Sequence, residues 1–218
     1  MFIGCVAYMS SSPLGDSEQS LFFVFGFLAA GTVFTSTVFA NLSDKSRSIA
    51  ALMLPASRLE KYLVGWLYSF VIFQVLFIGC FYLVVSVVLS LDGQPGKLLN
   101  IITYNHVGVS VLLLYAILHG VAIWGAIAFE KLSFIKTAFG FFILALLLIV
   151  LNNIVLEWMF SRDLATSIPF GQVSYQEKNH FYFIGLSENR KNLLGIYPVV
   201  IAIILWLAAY ARLKEKQI

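Results

Sequence analysis

The chain has 218 residues, of which 60% are hydrophobic and only 11% are charged. A soluble domain is about 45–50% apolar and about 25% charged, so this composition excludes a water-soluble globule and indicates an integral membrane protein. The net charge of +3 is too small to indicate nucleic-acid binding, and the two cysteines, Cys5 and Cys80, provide neither a disulfide framework nor the spacing of a metal site.

Five apolar runs are long enough to cross about 30 Å of hydrocarbon, which takes roughly 20 residues of helix. They cover about residues 21–42, 62–91, 106–129, 137–160 and 194–211. The opening MFIGCVAYM lacks the positive region and the length of a signal peptide, and we expect it to be the outer end of a further helix. We therefore predict an all-α integral membrane protein, a polytopic helix bundle of five full transmembrane helices plus a partial N-terminal one, with residues 1–218 in a single transmembrane domain.

Lysine and arginine are concentrated in the connections on one side of the predicted bundle. These residues are Lys45, Arg47, Arg58, Lys61, Lys131, Lys136, Arg212, Lys214 and Lys216. The positive-inside rule therefore predicts that this side and the C-terminus are cytoplasmic. The long outer loop, about residues 161–193, is long enough to carry structure of its own. Its tail, HFYFIGLSENRKNLLGIY, mixes aromatic and charged residues in a way that suits a re-entrant or interfacial segment.

The stretch LMLPASRLEKYL separates the first two apolar runs with a proline, a serine and three charges. Before it, Ile49, Leu52 and Met53 recur at the spacing of one helical face. Pro55 disfavours a helical conformation for the residue before it, so we predict a short surface helix that ends there.

Ser57 and Glu60 have the spacing of a capping box, which predicts that the next helix begins at Arg58. Residues of about 43–61 would then form a cytoplasmic elbow. This elbow is either an ordinary turn anchored by basic residues, or a lever that passes movement from a cytoplasmic partner into the bundle.

The segment ANLSDKSRSIAALMLPASRLEKYL resembles the corresponding part of ABC transporter permeases of the type-2 exporter superfamily, Bacteroidetes type, whose motif is LPAS-x-x-EK. AIAFEKLSFIKTAF is similar to the turn between the fourth and fifth spans of that family. Such permeases usually have six helices, a coupling helix between the second and third, and a long outer region before the last. The chain departs from this pattern at its start, where the beginning of the first helix is not seen.

The resemblance implies a permease subunit of an ABC-type exporter in the bacterial inner membrane, paired as a homo- or heterodimer of permeases. The protein itself would be no enzyme and hold no cofactor, because ATP would be bound by a separate cytoplasmic ATPase subunit. The alternative is a non-transporting membrane scaffold or assembly subunit. The implied coupling and ATPase interface consists of Lys45, Arg47, Ile49, Leu52, Met53, Pro55, Ser57, Arg58, Glu60 and Lys61.

Four polar side chains within the spans are further candidates for function, because such groups are costly in lipid. They are Gln74, His119, Asn152 and Asn153. Alternatively, each of them could have no role beyond a hydrogen bond to a neighbouring helix. No His-Glu-x-x-His helix, Gly-x-Ser-x-Gly elbow or phosphate-binding loop occurs in the sequence, which argues against a metal site and against an enzyme. Catalysis by His119 stays as a third hypothesis, without a partner acid to support it.

Overall fold

The computed structural model describes residues 15–43, 57–91, 98–100, 107–129, 132–160, 173–177, 180–184 and 195–216. Its helices are α1 (Asp16–Ser43), α2 (Arg58–Trp66), α3 (Phe73–Leu91), α4 (Val107–Ala128), α5 (Ser133–Phe160) and α6 (Ile196–Lys216). A π-helical segment, Leu67–Ile72, joins α2 to α3. The three elements form one continuous span of 34 residues, Arg58–Leu91.

Five helical stretches are long and apolar enough to cross a membrane. This number confirms the predicted bundle of five full spans. Their helical conformation is expected, because lipid offers the backbone no hydrogen-bonding partner. The partial N-terminal helix that we expected at residues 1–9 lies outside the described residues.

Three helices begin before the apolar run that predicts them. The first begins at Asp16 rather than at residue 21, the second at Arg58 rather than 62, and α5 at Ser133 rather than 137. Polar first turns account for this difference. In α1, for example, the Glu18 carboxylate accepts a hydrogen bond from the Gly15 amide at 2.5 Å, and a carboxylate at this end also interacts favourably with the helix dipole.

A β-hairpin lies within the long outer loop. Its strands, β1 (Val173–Glu177) and β2 (His180–Ile184), pair antiparallel with Tyr175 opposite Tyr182. The tail that we expected to be re-entrant or interfacial therefore begins as a β-strand. Sequence reasoning did not find the hairpin.

The third span, α4, is the central helix, and it packs against α1, α5 and α6. The described residues form three buried apolar clusters, of which two are large. The Phe39 cluster consists of Phe39, Tyr62, Ile123, Ala126, Ile127, Ala209 and Leu213. The Phe27 cluster consists of Phe23, Phe27, Leu99, Val111 and Tyr115, with the rings of Phe70, Phe73, Phe77 and Phe81 packed against it. Most outward side chains are large and apolar, as lipid-facing surfaces require.

Glycines on α4 allow two neighbouring helices to approach it closely. A Cβ atom at Gly125 would lie 2.6 Å from Thr137 Cβ on α5, and one at Gly120 would lie 2.7 Å from Leu205 Cβ on α6. Since atoms so close to the backbone cannot swing away, a larger residue at either glycine would force the helices apart. Small residues at such crossings are typical of membrane bundles.

We expect Gly125→Ala to destabilise the bundle by about 1–3 kcal/mol, because it overpacks the α4–α5 crossing. Thermal unfolding of the purified protein in detergent measures this loss. Gly140→Ala on α5 is the matched control, since nothing lies within 4 Å of a Cβ atom there. The control gains helix propensity and should be neutral or slightly more stable. Equal melting temperatures for the two variants would contradict the close packing.

Candidate functional site

The second span begins with the predicted capping box. The Ser57 hydroxyl oxygen accepts from the Glu60 amide at 3.2 Å, and the Glu60 carboxylate accepts from the Ser57 amide at 2.9 Å. Ser57 has an extended backbone, with φ −63° and ψ 154°, and Arg58 is the first helical residue. Each side chain thus satisfies an amide that the first helical turn leaves unpaired. Both the capping box and the start of the helix at Arg58 are confirmed.

The structure describes only the last part of the predicted elbow. Ser57, Arg58 and Glu60 are exposed, and Lys61 is half-buried. The remaining elbow residues lie outside the described residues, so the short surface helix stays a prediction. They are Lys45, Arg47, Ile49, Leu52, Met53 and Pro55.

Charge differs between the two ends of the described helices. The starts of α2 and α5 lie beside the ends of α6 and α4, because Tyr62 packs on Tyr210 and Thr137 lies against Gly125. This end carries more basic than acidic side chains: Arg58, Lys61, Lys136, Arg212 and Lys214 against Glu60 and Glu215. The opposite end of the helices carries Asp16, Glu18 and Glu157. The first end is therefore suited to contact an anionic partner or surface.

Tyr62 fastens the start of the second span to two other spans. Its ring lies 5.6 Å from the ring of Phe39 on α1 and 5.4 Å from that of Tyr210 on α6, between centroids. Its hydroxyl donates to the Trp206 carbonyl at 2.8 Å. One turn after the capping box, the helix is thus held by both apolar packing and a hydrogen bond.

Ser69 lies in the π-helical segment and is fully buried. The Phe73 amide donates to the carbonyl of Tyr68, five residues earlier, whereas in an α-helix it would donate to Ser69. The hydroxyl of Tyr115 on α4 donates to the Ser69 carbonyl instead, at 2.7 Å. The Ser69 hydroxyl itself donates to the Gly65 carbonyl at 2.8 Å. A side chain from the third span therefore supplies the hydrogen bond that the π turn removes.

His119, one turn after Tyr115, joins the second span to the last. Trp206 on α6 donates its indole N–H to His119 Nδ1 at 3.1 Å, and His119 Nε2 lies 2.9 Å from Ser69 Oγ. An indole N–H can only donate, so Nδ1 must be an acceptor and the ring neutral, with its hydrogen on Nε2. His119 therefore donates to Ser69. The rings of Phe70, Tyr115 and Trp206 lie within 6.0 Å of the imidazole, between centroids.

This hydrogen-bond direction argues against catalysis by His119. A histidine that activates a serine accepts the hydroxyl proton on the nitrogen facing it, and an acceptor orients its other N–H. Here the nitrogen facing Ser69 carries the hydrogen, and the partner of the other nitrogen is a donor. His119, Ser69, Tyr115, Trp206 and Tyr62 form what we call the interspan network.

The other predicted polar candidates do not join this network. Gln74 is half-buried on α3. Asn153 donates to the carbonyl of Ile149 on its own helix at 2.9 Å, and Asn152 beside it is also half-buried. Across the part of the chain that the structure describes, no three His, Cys, Asp or Glu side chains cluster as a metal ion would require.

Sequence reasoning identified His119 as a candidate but did not identify the residues that hydrogen-bond to it. Tyr115 precedes His119 by four residues, so both lie on one helical face, and this spacing was a usable signal. Tyrosine and tryptophan each carry one polar atom that normally has a partner when buried, which marks Tyr62 and Trp206 as well. No local signal marks the π turn at Ser69.

The chain matches no protein-family model, no curated protein and no solved structure. The assignment of a function therefore depends on its own residues and geometry.

A double-mutant cycle tests the hydrogen bond between Trp206 and His119. We expect His119→Phe and Trp206→Phe each to lower the free energy of unfolding by about 1–3 kcal/mol, since each leaves a buried polar group unpaired. The double variant should lose less than the sum, with a coupling of about 0.6–1.7 kcal/mol.

Unfolding in detergent provides these energies, and Trp158→Phe is the control because Trp158 is 83% exposed. Additive losses at His119 and Trp206 would show that the two side chains are not coupled.

Proposed function

We propose that the protein is the membrane-spanning permease subunit of an ABC-type exporter of the type-2 superfamily, in which a separate cytoplasmic ATPase binds and hydrolyses ATP. The observation that carries the proposal is the capping box of Ser57 and Glu60. It lies in the LPAS-x-x-EK motif and fixes where the second span begins. In the proposed transporter this is the place where the elbow receives movement from the ATPase.

The contacts of α2 support a route for that movement. Within four turns of the capping box, the same span contacts α6 through Tyr62 and α4 through Ser69. A displacement of the elbow would therefore act on the first, third and last spans together, since Tyr62 also packs on Phe39 of α1. Two permeases, identical or related, would enclose the substrate path between them. The protein would lie in the bacterial inner membrane.

The charge at this end supports the same orientation. The ends of α2, α5 and α6 that meet there are net basic, and the positive-inside rule assigns such an end to the cytoplasm. The elbow and the C-terminus would both be cytoplasmic, where an ATPase with an acidic contact surface would meet them.

A scaffold or assembly subunit is the second candidate. It is favoured by the interspan network, in which His119, Ser69 and Trp206 bind one another rather than a path for solute. One experiment distinguishes the permease from the scaffold. The protein and the ATPase that co-purifies with it are reconstituted in liposomes, and export that requires ATP supports the permease. Reproducible failure of an ATPase to co-purify would count against it.

We expect Ser57→Ala with Glu60→Ala to uncouple ATP hydrolysis from transport, or to weaken ATPase binding, in protein that still inserts and folds. Losing the cap costs about 0.5–2 kcal/mol of local helix stability. That loss is small beside the packing of five spans but similar to a typical allosteric coupling of about 1–3 kcal/mol.

ATPase stimulation and recovery of the complex are measured at equal membrane abundance. Glu215→Ala is the matched control, because it removes an exposed ion pair with Arg212, 3.0 Å long, at the same end of the bundle. If the double variant equals wild type in both measurements, the elbow is an ordinary turn and the proposed coupling through the capping box is wrong.

A further inference from the structure

The second span belongs to different clusters on the two sides of its π-helical segment. On the α2 side, Tyr62 lies in the Phe39 cluster and Trp66 packs against it. On the α3 side, Phe73 and Phe77 pack on Phe27, with ring centroids 5.7 and 5.4 Å apart. The segment Leu67–Ile72 therefore lies at the boundary between two packing units. Each half of the span is held by its own set of neighbours.

The outer face of the segment is partly exposed. Leu67, Tyr68 and Val71 are 39–52% exposed, and Ser69 is the residue of the segment that is buried. A change of angle at this place would displace lipid on the outer face. It would disturb the bundle through the inward residues Ser69 and Phe70. The Phe70 ring lies within 5.7 Å of four other rings, between centroids: those of Trp66, Tyr115, His119 and Trp206.

The Ser69 carbonyl has two alternative donors. In the present structure it accepts from the Tyr115 hydroxyl, because the Phe73 amide is bonded to Tyr68. If the segment changed to α-helical hydrogen bonding, the Phe73 amide would reach Ser69 and the Tyr115 hydroxyl would be released. The Ser69 carbonyl is paired in both arrangements, and the cost of the exchange lies at the fully buried Tyr115, whose hydroxyl loses this acceptor.

We propose that Leu67–Ile72 is a hinge in the second span, and that Tyr115 holds the hinge in one position through the Ser69 carbonyl. The arm that moves is α2. Ser69 lies 11 positions after Arg58, about 16 Å of helix, so a 10° change at the hinge moves Arg58 by about 3 Å. The inference rests on the geometry of this span and holds whichever partner the elbow contacts.

Distances between pairs of spin labels test the hinge in the full chain, reconstituted in nanodiscs with Cys5 and Cys80 replaced by serine. The hinge pair is Arg58→Cys with Lys214→Cys, which reports the position of α2 against α6. The reference pair is Ile135→Cys with Lys214→Cys, which joins two elements that the hinge does not move. Tyr115→Phe removes only the hydroxyl, and Tyr68→Phe is its matched control, because Tyr68 is exposed on the outer face of the same segment.

We expect Tyr115→Phe to shift or broaden the distance distribution of the hinge pair by about 3 Å, the displacement of a 10° swing. Tyr68→Phe should leave it unchanged, and the reference pair should be unchanged in both variants. An unchanged hinge pair in Tyr115→Phe would overturn the proposal. So would an equal change in the reference pair, or a Tyr115→Phe protein that does not fold, because either result assigns the hydroxyl to general stability.

Deletion of Val71 supplies a second measurement. It removes the extra residue of the π turn, so the span becomes a continuous α-helix with both halves in their present orientation. We expect a narrower hinge-pair distribution than in wild type, and no further effect of Tyr115→Phe in this background. If the deletion variant has a hinge-pair distance distribution as broad as that of Tyr115→Phe alone, the proposed hinge is overturned. If the deletion prevents folding, the comparison of Tyr115→Phe with Tyr68→Phe decides.

Discussion

The absence of water within the hydrocarbon is the constraint on which the rest of this structure depends. Lipid supplies no hydrogen-bonding partner, so a polar group left unpaired inside the bundle is costly. In the described spans the regular helices meet this demand for the backbone, but at the π turn the Ser69 carbonyl loses its α-helical donor. The hydroxyl of Tyr115 replaces it. A local irregularity in the second span thus requires a side chain on the third, which helps to make α4 the central helix.

The same constraint explains the hydrogen-bonding partners of His119. Once Trp206 is buried beside α4, its indole N–H needs an acceptor, and His119 Nδ1 provides one. The hydrogen on the other nitrogen then needs an acceptor in turn, which is Ser69 Oγ. The Ser69 hydroxyl completes the series by donating to the Gly65 carbonyl. Every member of the series is paired, and the series joins three spans.

The parts of the fold that were predictable from sequence are those determined by neighbouring residues. Five spans follow from the length of apolar runs, and the start of α2 follows from Ser57 and Glu60, three residues apart. The interspan network was not predictable, because its partners are distant in the chain. Ser69 and His119 are 50 positions apart, and Tyr62 and Trp206 are 144 apart. The β-hairpin and the π turn carry no strong local pattern either.

The second span combines a well-defined start with an irregular middle, where a π turn interrupts the α-helical hydrogen bonding. The capping box determines where the helix begins, but it is exposed and contributes about 0.5–2 kcal/mol. The aromatic packing of Phe73 and Phe77 secures the far half of the span. Between these lies a π turn whose outward residues face lipid. A force on the elbow would act first on α2, through the contacts of Tyr62 with Phe39, Tyr210 and Trp206, and would reach α3 and the Phe27 cluster only beyond the π turn.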